Sequence, residues 1–287
     1  MRQIEEELRI RAASLLESGE VSLVIGYAQG SEASRTTPAF IKKAEEAGKL
    51  VFNSHCVNNL AKYLADNRNM PGKVAVVVKG CDSRAVNRLI QDNQVERERI
   101  VLLGAPCPGM VEAESAEEFL MEKCRRCENR NPVIYDYLAG EKVAEEGNKD
   151  FFDDVRSIEG LSVQEKSLYW DRQFARCLRC YACRNVCPAC TCRECVFDQA
   201  QPEWVAMANN LSDNTAFHLV RAFHVAGRCV DCGECQRVCP VNIPLSVLNR
   251  KILSDIRDLY GVSTPGQTMD ETSVLGGFHK GDPDEFM

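Results

Sequence analysis

The sequence predicts an α/β domain with a small parallel sheet, followed by a mostly α-helical domain rich in cysteine. Short Val, Ile and Leu runs alternate with helical segments over the first half of the chain, which is typical of a buried parallel sheet. Eleven of the 16 cysteines lie in the second half, between residues 177 and 239. A polar stretch without cysteine, AEEGNKDFFDDVRSIEG, separates the two parts and reads as a linker.

Composition and charge exclude several classes of protein. The 287 residues carry a net charge of −7, which excludes nucleic-acid binding through bulk positive charge. No apolar run approaches the roughly 18 residues of a membrane-spanning helix. The first residues, MRQIEEELRIRAASLLESGE, lack the continuous apolar core of a signal peptide. We therefore expect a cytoplasmic protein whose cysteines stay reduced, so their spacing must indicate what they bind.

The first domain is predicted to contain strands within EVSLVIGYAQG, KLVFN, KVAVVVKG and RIVLLGAP. Three cysteines each follow one of these predicted strands: Cys56, Cys81 and Cys107. Ligands bind at the carboxyl edge of open parallel sheets, so these thiols are candidate ligands. The pair Cys124 and Cys127 comes next and could fold over the same edge. The alternative for Cys56 and Cys81 is a buried, apolar role at the strand ends.

The late cysteines form two copies of one motif. CLRCYACRNVCP and CVDCGECQRVCP both fit C-x2-C-x2-C-x3-C-P, the pattern of bacterial ferredoxins with two [4Fe-4S] clusters. In that pattern the first three cysteines bind one cluster and the fourth binds the other. The two predicted ligand sets are Cys177, Cys180, Cys183 with Cys239, and Cys229, Cys232, Cys235 with Cys187. Two zinc sites are the alternative, but the doubled pattern with both prolines favours clusters.

Further thiols crowd behind the first motif, in CPACTCRECVFD. Exposed free thiols at this density are vulnerable to oxidation, so a ligand role is favoured over a structural one. Three ligands need a fourth, and the first domain has five cysteines, one more than a cluster requires. A fourth ligand set is therefore conceivable from Cys56, Cys190, Cys192 and Cys195.

The spacer between the two motifs contains two segments with helical character, PEWVAMANNLSD and TAFHLVRAFHVAGR. His218 and His224 lie in the second segment. We interpret them as ordinary helix residues, because cubane clusters normally use cysteine; ligation is the alternative. The segment RAFHVAGRCVDCGECQRVCPVNIPL resembles the α-helical ferredoxin modules of heterodisulfide reductase small subunits. The resemblance implies a mostly helical dicluster ferredoxin domain.

The first domain has a resemblance of its own, over residues 20–140. VVVKGCDSRAVNRLIQ, LLGAPCPGM and KCRRCENRNPVIYD resemble the beta subunit family of coenzyme F420-reducing hydrogenases and formate dehydrogenases. Many members of that family hold an iron–sulfur cluster, and the resemblance implies a third ligand set of Cys81, Cys107, Cys124 and Cys127, with Cys56 as the spare or the exchange candidate. Lys79 could then offset the negative charge of the reduced cluster.

Some members of that family also hold FAD. This chain lacks the long region that would complete a flavin and deazaflavin site, so FAD binding is an open question. GYAQGSEASR could approach a phosphate, but it is not a GxGxxG fingerprint and a plain turn is the better interpretation. We expect the α/β domain over residues 1–147, a linker over 148–168, the ferredoxin domain over 169–262 and an extended tail over 263–287.

These motifs predict an iron–sulfur electron-transfer subunit of an anaerobic oxidoreductase complex. The resemblances imply partners of two kinds, a hydrogenase or formate dehydrogenase and a flavin-containing, heterodisulfide-reductase-like protein. One alternative is a subunit with FAD that reacts with a deazaflavin or nicotinamide and feeds the clusters. Another is an enzyme whose early cluster keeps an iron open for substrate, although five early cysteines argue against a three-ligand site.

Overall fold

The computed structural model describes residues 1–111, 119–145, 151–261, 265–270 and 274. The chain forms two compact units. The first comprises the described residues of Met1–Lys149 and Gly266–Glu271, and the second those of Asp150–Pro265 and Thr272–Met287. This division agrees with the two predicted classes of domain, and each unit is described by itself.

A mixed sheet lies at the centre of the first unit, with strand order β2-β1-β3-β4-β5 over the described residues. The strands are β1 (Leu23–Gln29), β2 (Thr36–Ile41), β3 (Val74–Val78), β4 (Ile100–Gly104) and β5 (Tyr137–Leu138). Strand β3 pairs in parallel with β1 and with β4, and β4 pairs in parallel with β5. Strand β2 pairs antiparallel with β1. Strands β3 and β4 are buried along their whole length, as expected for apolar runs in the middle of a parallel sheet.

Helices cover this sheet and lead into the cysteine loops. The described helices of the first unit are α1 (Arg2–Glu17), α2 (Ala61–Asp66), α3 (Gly80–Gln91) and α4 (Glu122–Arg125). Helix α1 buries Ile4, Leu8 and Leu15, whose spacing places them on one helical face. Helix α3 follows β3 directly, so Cys81 lies in its first turn, as predicted.

The structure corrects one predicted strand. KLVFN does not form a strand; Leu50 makes only an isolated bridge to Ala28. The antiparallel partner of β1 is instead β2, which contains Pro38 and little apolar periodicity. Proline is tolerated there because β2 is an edge strand. Cys56 therefore follows an irregular segment, whereas Cys81 and Cys107 follow the carboxyl ends of β3 and β4.

The second unit is helical, as predicted. Its described helices are α5 (Asp153–Glu159), α6 (Val163–Ala175), α7 (Ala182–Asn185), α8 (Leu211–His224), α9 (Glu234–Arg237) and α10 (Leu245–Tyr260). Phe174, Phe197 and Phe217 form a buried core that also includes the thiols of Cys177, Cys183 and Cys235. None of the described helices combines the length and the hydropathy needed to span a bilayer.

The stretch 148–168, which we predicted to be a linker, differs from that expectation over its described part. It contains α5 and the beginning of α6. Phe151, Phe152 and Val155 are buried against Val247 and Leu253 of α10. The acidic residues between these apolar side chains hid this short amphipathic pattern in the sequence.

A buried arginine fixes this corner of the second unit. Arg250 on α10 pairs with Asp154 at 3.1 Å and also with Asp231, in the second cysteine motif. Its guanidinium also lies 4.6 Å from the ring of Phe151. The cation thereby ties α5 and a cysteine loop to the same helix.

Most of the predicted tail, 263–287, lies outside the described residues. Within the described part, residues 266–270 pass along α3. The Asn87 amide donates to the carbonyl oxygen of Gly266 at 2.9 Å, and the Gln91 amide donates to that of Thr268 at 2.9 Å. This short segment therefore belongs to the first unit although it follows the second in sequence.

Gly80 provides a test of the packing in the first unit. A Cβ atom at this position would overlap the carbonyl oxygen of Asn129, close to Cys127. We predict that Gly80→Ala destabilises the unit by about 1–3 kcal/mol, because the loop would have to move. Gly48→Ala is the matched control, since its Cβ would meet no atom within 4 Å. Anaerobic thermal unfolding should show a lower midpoint for Gly80→Ala alone; equal midpoints would contradict the packing.

Candidate metal centres

The two late cysteine motifs share one backbone conformation. In the first motif Arg179 and Tyr181 flank Cys180 with left-handed φ angles of 52° and 59°. In the second motif Asp231 and Gly233 flank Cys232 with φ angles of 54° and 68°. Left-handed geometry is costly for residues other than glycine and tends to occur where a site requires it. A one-turn helix, α7 or α9, then carries the third cysteine of each motif.

Hydrogen-bond donors approach the thiol sulfurs of both motifs. The Arg179 backbone N–H lies 3.4 Å from Cys177 Sγ, and the Ile243 N–H lies 3.3 Å from Cys239 Sγ. The side-chain amide of Asn249 lies 3.6 Å from Cys235 Sγ. Such donors stabilise negative charge on sulfur and are one of the means by which proteins set cluster potentials.

The late thiols have neighbours within the two predicted groups. Burial raises the pKa of Cys177, and the neighbouring Cys239 and Cys180 raise it further. Burial likewise raises the pKa of Cys229, which has Cys187 as a neighbour. Cys232 and Cys235 also neighbour Cys187. These neighbours are those expected if the motifs exchange their fourth cysteines as dicluster ferredoxins do, and Cys183 also has Cys235 of the other set as a neighbour. The two ligand sets stay a prediction.

The first of these groups encloses a cavity. Its wall contains the four cysteines of one predicted set together with Phe217 and His218: Cys177, Cys180, Cys183 and Cys239. The lining also includes Arg179 and the apolar residues Leu178, Val241, Ile243 and Leu245, so four cysteines, one cation and apolar side chains surround the same space.

Among the residues that the structure describes, no group of three or more His, Cys, Asp or Glu side chains is placed to hold a single metal ion.

Arg221 is a buried cation beside both late groups. Its side chain is 3% exposed and donates to the Cys183 carbonyl at 3.0 Å. Burial opposes its charge, but the neighbouring Cys187, Cys235 and Cys183 outweigh burial and raise the guanidinium pKa. Cys183 belongs to the first ligand set, and Cys187 and Cys235 to the second. One positively charged side chain therefore lies beside thiols of both ligand sets.

The first unit brings together the other predicted set. Burial raises the pKa of Cys107 to about 12, and its neighbours include Cys124 and Cys127. Cys127 is also a neighbour of Cys81. The backbone fixes this grouping, because the Cys107 N–H donates to the Arg130 carbonyl at 2.8 Å. Cys81 and Cys107 follow β3 and β4 at the edge where parallel sheets bind ligands, and Cys127 neighbours both of them. A cluster on Cys81, Cys107, Cys124 and Cys127 stays a prediction.

Lys79 is a buried cation beside this set. It is 2% exposed, forms an ion pair with Asp82 at 3.0 Å and donates to the Asn58 carbonyl at 2.9 Å. Burial lowers its pKa, but the nearby Asp82, Tyr27 and Cys81 outweigh burial, so the lysine pKa is raised. Asp82 also accepts the backbone N–H groups of Lys79 and Leu60, which makes it a structural residue of the α3 N-terminus.

The structure gives the remaining four cysteines different surroundings. Cys56 is fully buried in the first unit, where its thiol lies 3.4 Å from the Asn53 N–H. Cys190 donates to Cys187, which lowers the pKa of Cys187 and raises its own. Cys192 is exposed, and Cys195 contacts Arg184. A fourth cluster on these residues therefore stays a prediction.

Two buried residues near the sites were not recognised as such in the sequence. Arg221 was not singled out, and His218 was interpreted as an ordinary helix residue. Phe217 and Arg221 are four residues apart on α8, so they share a face of the helix with the adjacent His218. That mixed aromatic and basic face, directly before the second motif, is the signal that could have identified them. His224 lies on the exposed side of α8.

Comparison with known proteins supports this interpretation. Residues 173–243 match the family model of the 4Fe-4S dicluster domain. The chain is 24% identical to the F420-dependent formate dehydrogenase subunit beta of Methanocaldococcus jannaschii, over 86% of this chain and 88% of that protein. It is also 24% identical to the F420-dependent formate dehydrogenase 1 subunit beta of Methanococcus maripaludis, over 92% and 91% of the two chains.

A chain of the F420-reducing [NiFe] hydrogenase complex from Methanosarcina barkeri shows a weaker structural likeness. It has a TM-score of 0.32 and 16% identity, over 39% of this chain and 42% of that chain. The alignment to the Methanocaldococcus subunit spans 341 positions, more than the 287 residues of this chain. That relative therefore contains internal stretches without a counterpart here. The protein thus contains a 4Fe-4S dicluster domain and is related, along most of its length, to F420-dependent formate dehydrogenase beta subunits.

Proposed function

We propose that the protein is the iron–sulfur electron-transfer subunit of an oxidoreductase complex of the formate dehydrogenase type. It would pass electrons between a formate dehydrogenase or hydrogenase and a flavin-containing partner similar to heterodisulfide reductase. The observation that carries the proposal is the match of residues 173–243, which contain both late cysteine motifs, to the 4Fe-4S dicluster domain. The similarity to formate dehydrogenase beta subunits supports this kind of complex.

The shared arginine bears directly on electron transfer. Because Arg221 neighbours Cys183 of one set and Cys187 of the other, the two clusters would lie close together. Electron transfer between redox centres becomes faster as their separation shortens, so adjacent clusters form an efficient pair. A positive charge beside both would favour the reduced form of each.

The third ligand set extends this role to the first unit. Cys81, Cys107, Cys124 and Cys127 would hold a cluster at the sheet edge, beside the buried Lys79, which is ion-paired with Asp82. In each unit, therefore, buried thiols are accompanied by a buried cation. Such a combination suits one-electron carriers, whose net charge changes with every transfer.

A subunit with FAD remains the alternative function. The printed names of the relatives, which describe F420-dependent enzymes, favour it. The loop after β1 does not, because it closes on itself: the Gln29 amide donates to the carbonyl oxygens of Glu32 at 2.7 Å and Arg35 at 2.9 Å. This loop joins two antiparallel strands and precedes no helix, so it lacks the helix N-terminus that usually binds phosphate.

Cysteine variants should separate the third ligand set from the spare thiol. We predict that Cys81→Ser loses about four iron atoms per chain, the content of one cubane. Cys56→Ser is the matched control and should keep its full iron content, because Cys56 lies in the protein core among Asn53, Lys79 and Thr36. Iron and sulfide analysis with EPR spin counting measures both variants. An equal loss from the two, or a loss from Cys56→Ser alone, would exclude the proposed set.

The relay and the flavin alternative differ in a direct measurement on the anaerobically purified full chain. A relay should be reduced by titanium(III) and reoxidised by an artificial one-electron acceptor, with only cluster signals in its EPR and optical spectra. No flavin should be released when the protein is precipitated with acid. Flavin in amounts equal to the chain would favour the alternative, and an absence of reducible iron–sulfur signals would contradict both.

A further inference from the structure

His218 is a buried histidine in the middle of α8. Only 2% of its surface is exposed. Its ring stacks on Phe174, with centroids 4.8 Å apart and planes 18° apart, and it meets Phe217 edge-on at 5.0 Å. These two aromatic rings hold the imidazole in one orientation, so its nitrogens have fixed positions.

Neither ring nitrogen of His218 has a hydrogen-bond partner in the described structure. Leaving a buried donor without a partner costs about 1–3 kcal/mol, and such groups in native proteins call for an explanation. The His218 side chain lines the cavity bounded by Cys177, Cys180, Cys183 and Cys239. A group bound in that cavity would supply the missing partner.

The charges around His218 decide its protonation state. Burial lowers its pKa, and the nearby Arg221 and Arg179 lower it further, to about 4. Neutral imidazole has one N–H donor and one acceptor nitrogen, whereas the cation has two donors. Either form can therefore donate one N–H into the cavity.

A role as iron ligand does not fit, because this cavity already has four cysteines, the full complement of a cubane. We propose that His218 donates its ring N–H to a sulfur of the cluster held by Cys177, Cys180, Cys183 and Cys239 and so raises the potential of that cluster. The inference rests on the proposed iron–sulfur function. Reduction adds negative charge to the cluster, so a donor to its sulfur stabilises the reduced state more than the oxidised one.

The first test compares His218→Phe with His224→Phe. Both residues lie on α8, but His224 is exposed, so the control has the same substitution without the proposed donor. EPR-monitored redox titration should show a lower midpoint for one cluster in His218→Phe only. The expected change is about tenfold in the reduction equilibrium constant, or about 59 mV for one electron. An unchanged set of midpoints, with full iron content, would overturn the proposal.

The main measurement of the second test is made on the unsubstituted protein, so it does not depend on whether a variant keeps its cluster. Protein labelled with ¹⁵N only at its four histidines is reduced, and the hyperfine coupling of ¹⁵N to the cluster spin is measured. A weak coupling is expected, present in His224→Phe and absent from His218→Phe wherever that variant keeps its iron. No coupling would overturn the hydrogen bond, and a strong one would indicate direct ligation and overturn it equally.

These outcomes are separate from those that test the function itself. Wild-type protein without iron and sulfide would refute the proposed function, whichever way the histidine measurements came out. Wild-type protein with all of its clusters, but with no ¹⁵N coupling and no midpoint shift, would refute the role of His218 alone.

Discussion

The structure depends on a balance of charge around buried thiols. Four thiolates on an iron–sulfur cluster carry negative charge that a low-dielectric interior would otherwise exclude. Each unit contains a cation beside its thiols that is almost completely buried from solvent. This cation is Lys79 in the first unit and Arg221 in the second. Burial raises the pKa of most of these thiols, so they stay protonated until a metal takes the place of the proton.

The two cysteine motifs of the second unit share the same backbone conformation. The residues on either side of Cys180 and of Cys232 have left-handed backbone conformations, which turn the chain sharply at each cysteine. A one-turn helix follows each turn. The aromatic core packs directly against Cys177, Cys183 and Cys235, whereas Cys180 is exposed to solvent. Arg250 holds the second loop by pairing with its Asp231. Folding of the helices and formation of the ligand sets are therefore parts of one process.

Much of this was visible in the sequence because thiol spacing encodes cluster geometry directly. The motif alone predicts the exchange of Cys187 and Cys239 between the two sets, and in the structure Cys239 neighbours Cys177 and Cys187 neighbours Cys229. Other features were hidden for physical reasons. Pro38 is unusual within a strand, so the sequence does not predict β2. KLVFN is predicted to be a strand instead, and that prediction wrongly places Cys56 at the end of a strand. Phe151 and Phe152 lie inside an acidic stretch, and the burial of Arg221 depends on how α8 packs, which its sequence does not show.

We infer that three separate sets of four cysteines each hold a cubane cluster. The most direct test is the amount of iron and acid-labile sulfide per chain in the whole 287-residue protein, purified without oxygen. Three cubanes would give about 12 iron atoms and about 12 sulfides, four of each per cluster. About eight of each would leave the set in the first unit without a cluster, and zinc in place of iron would contradict the assignment of every set.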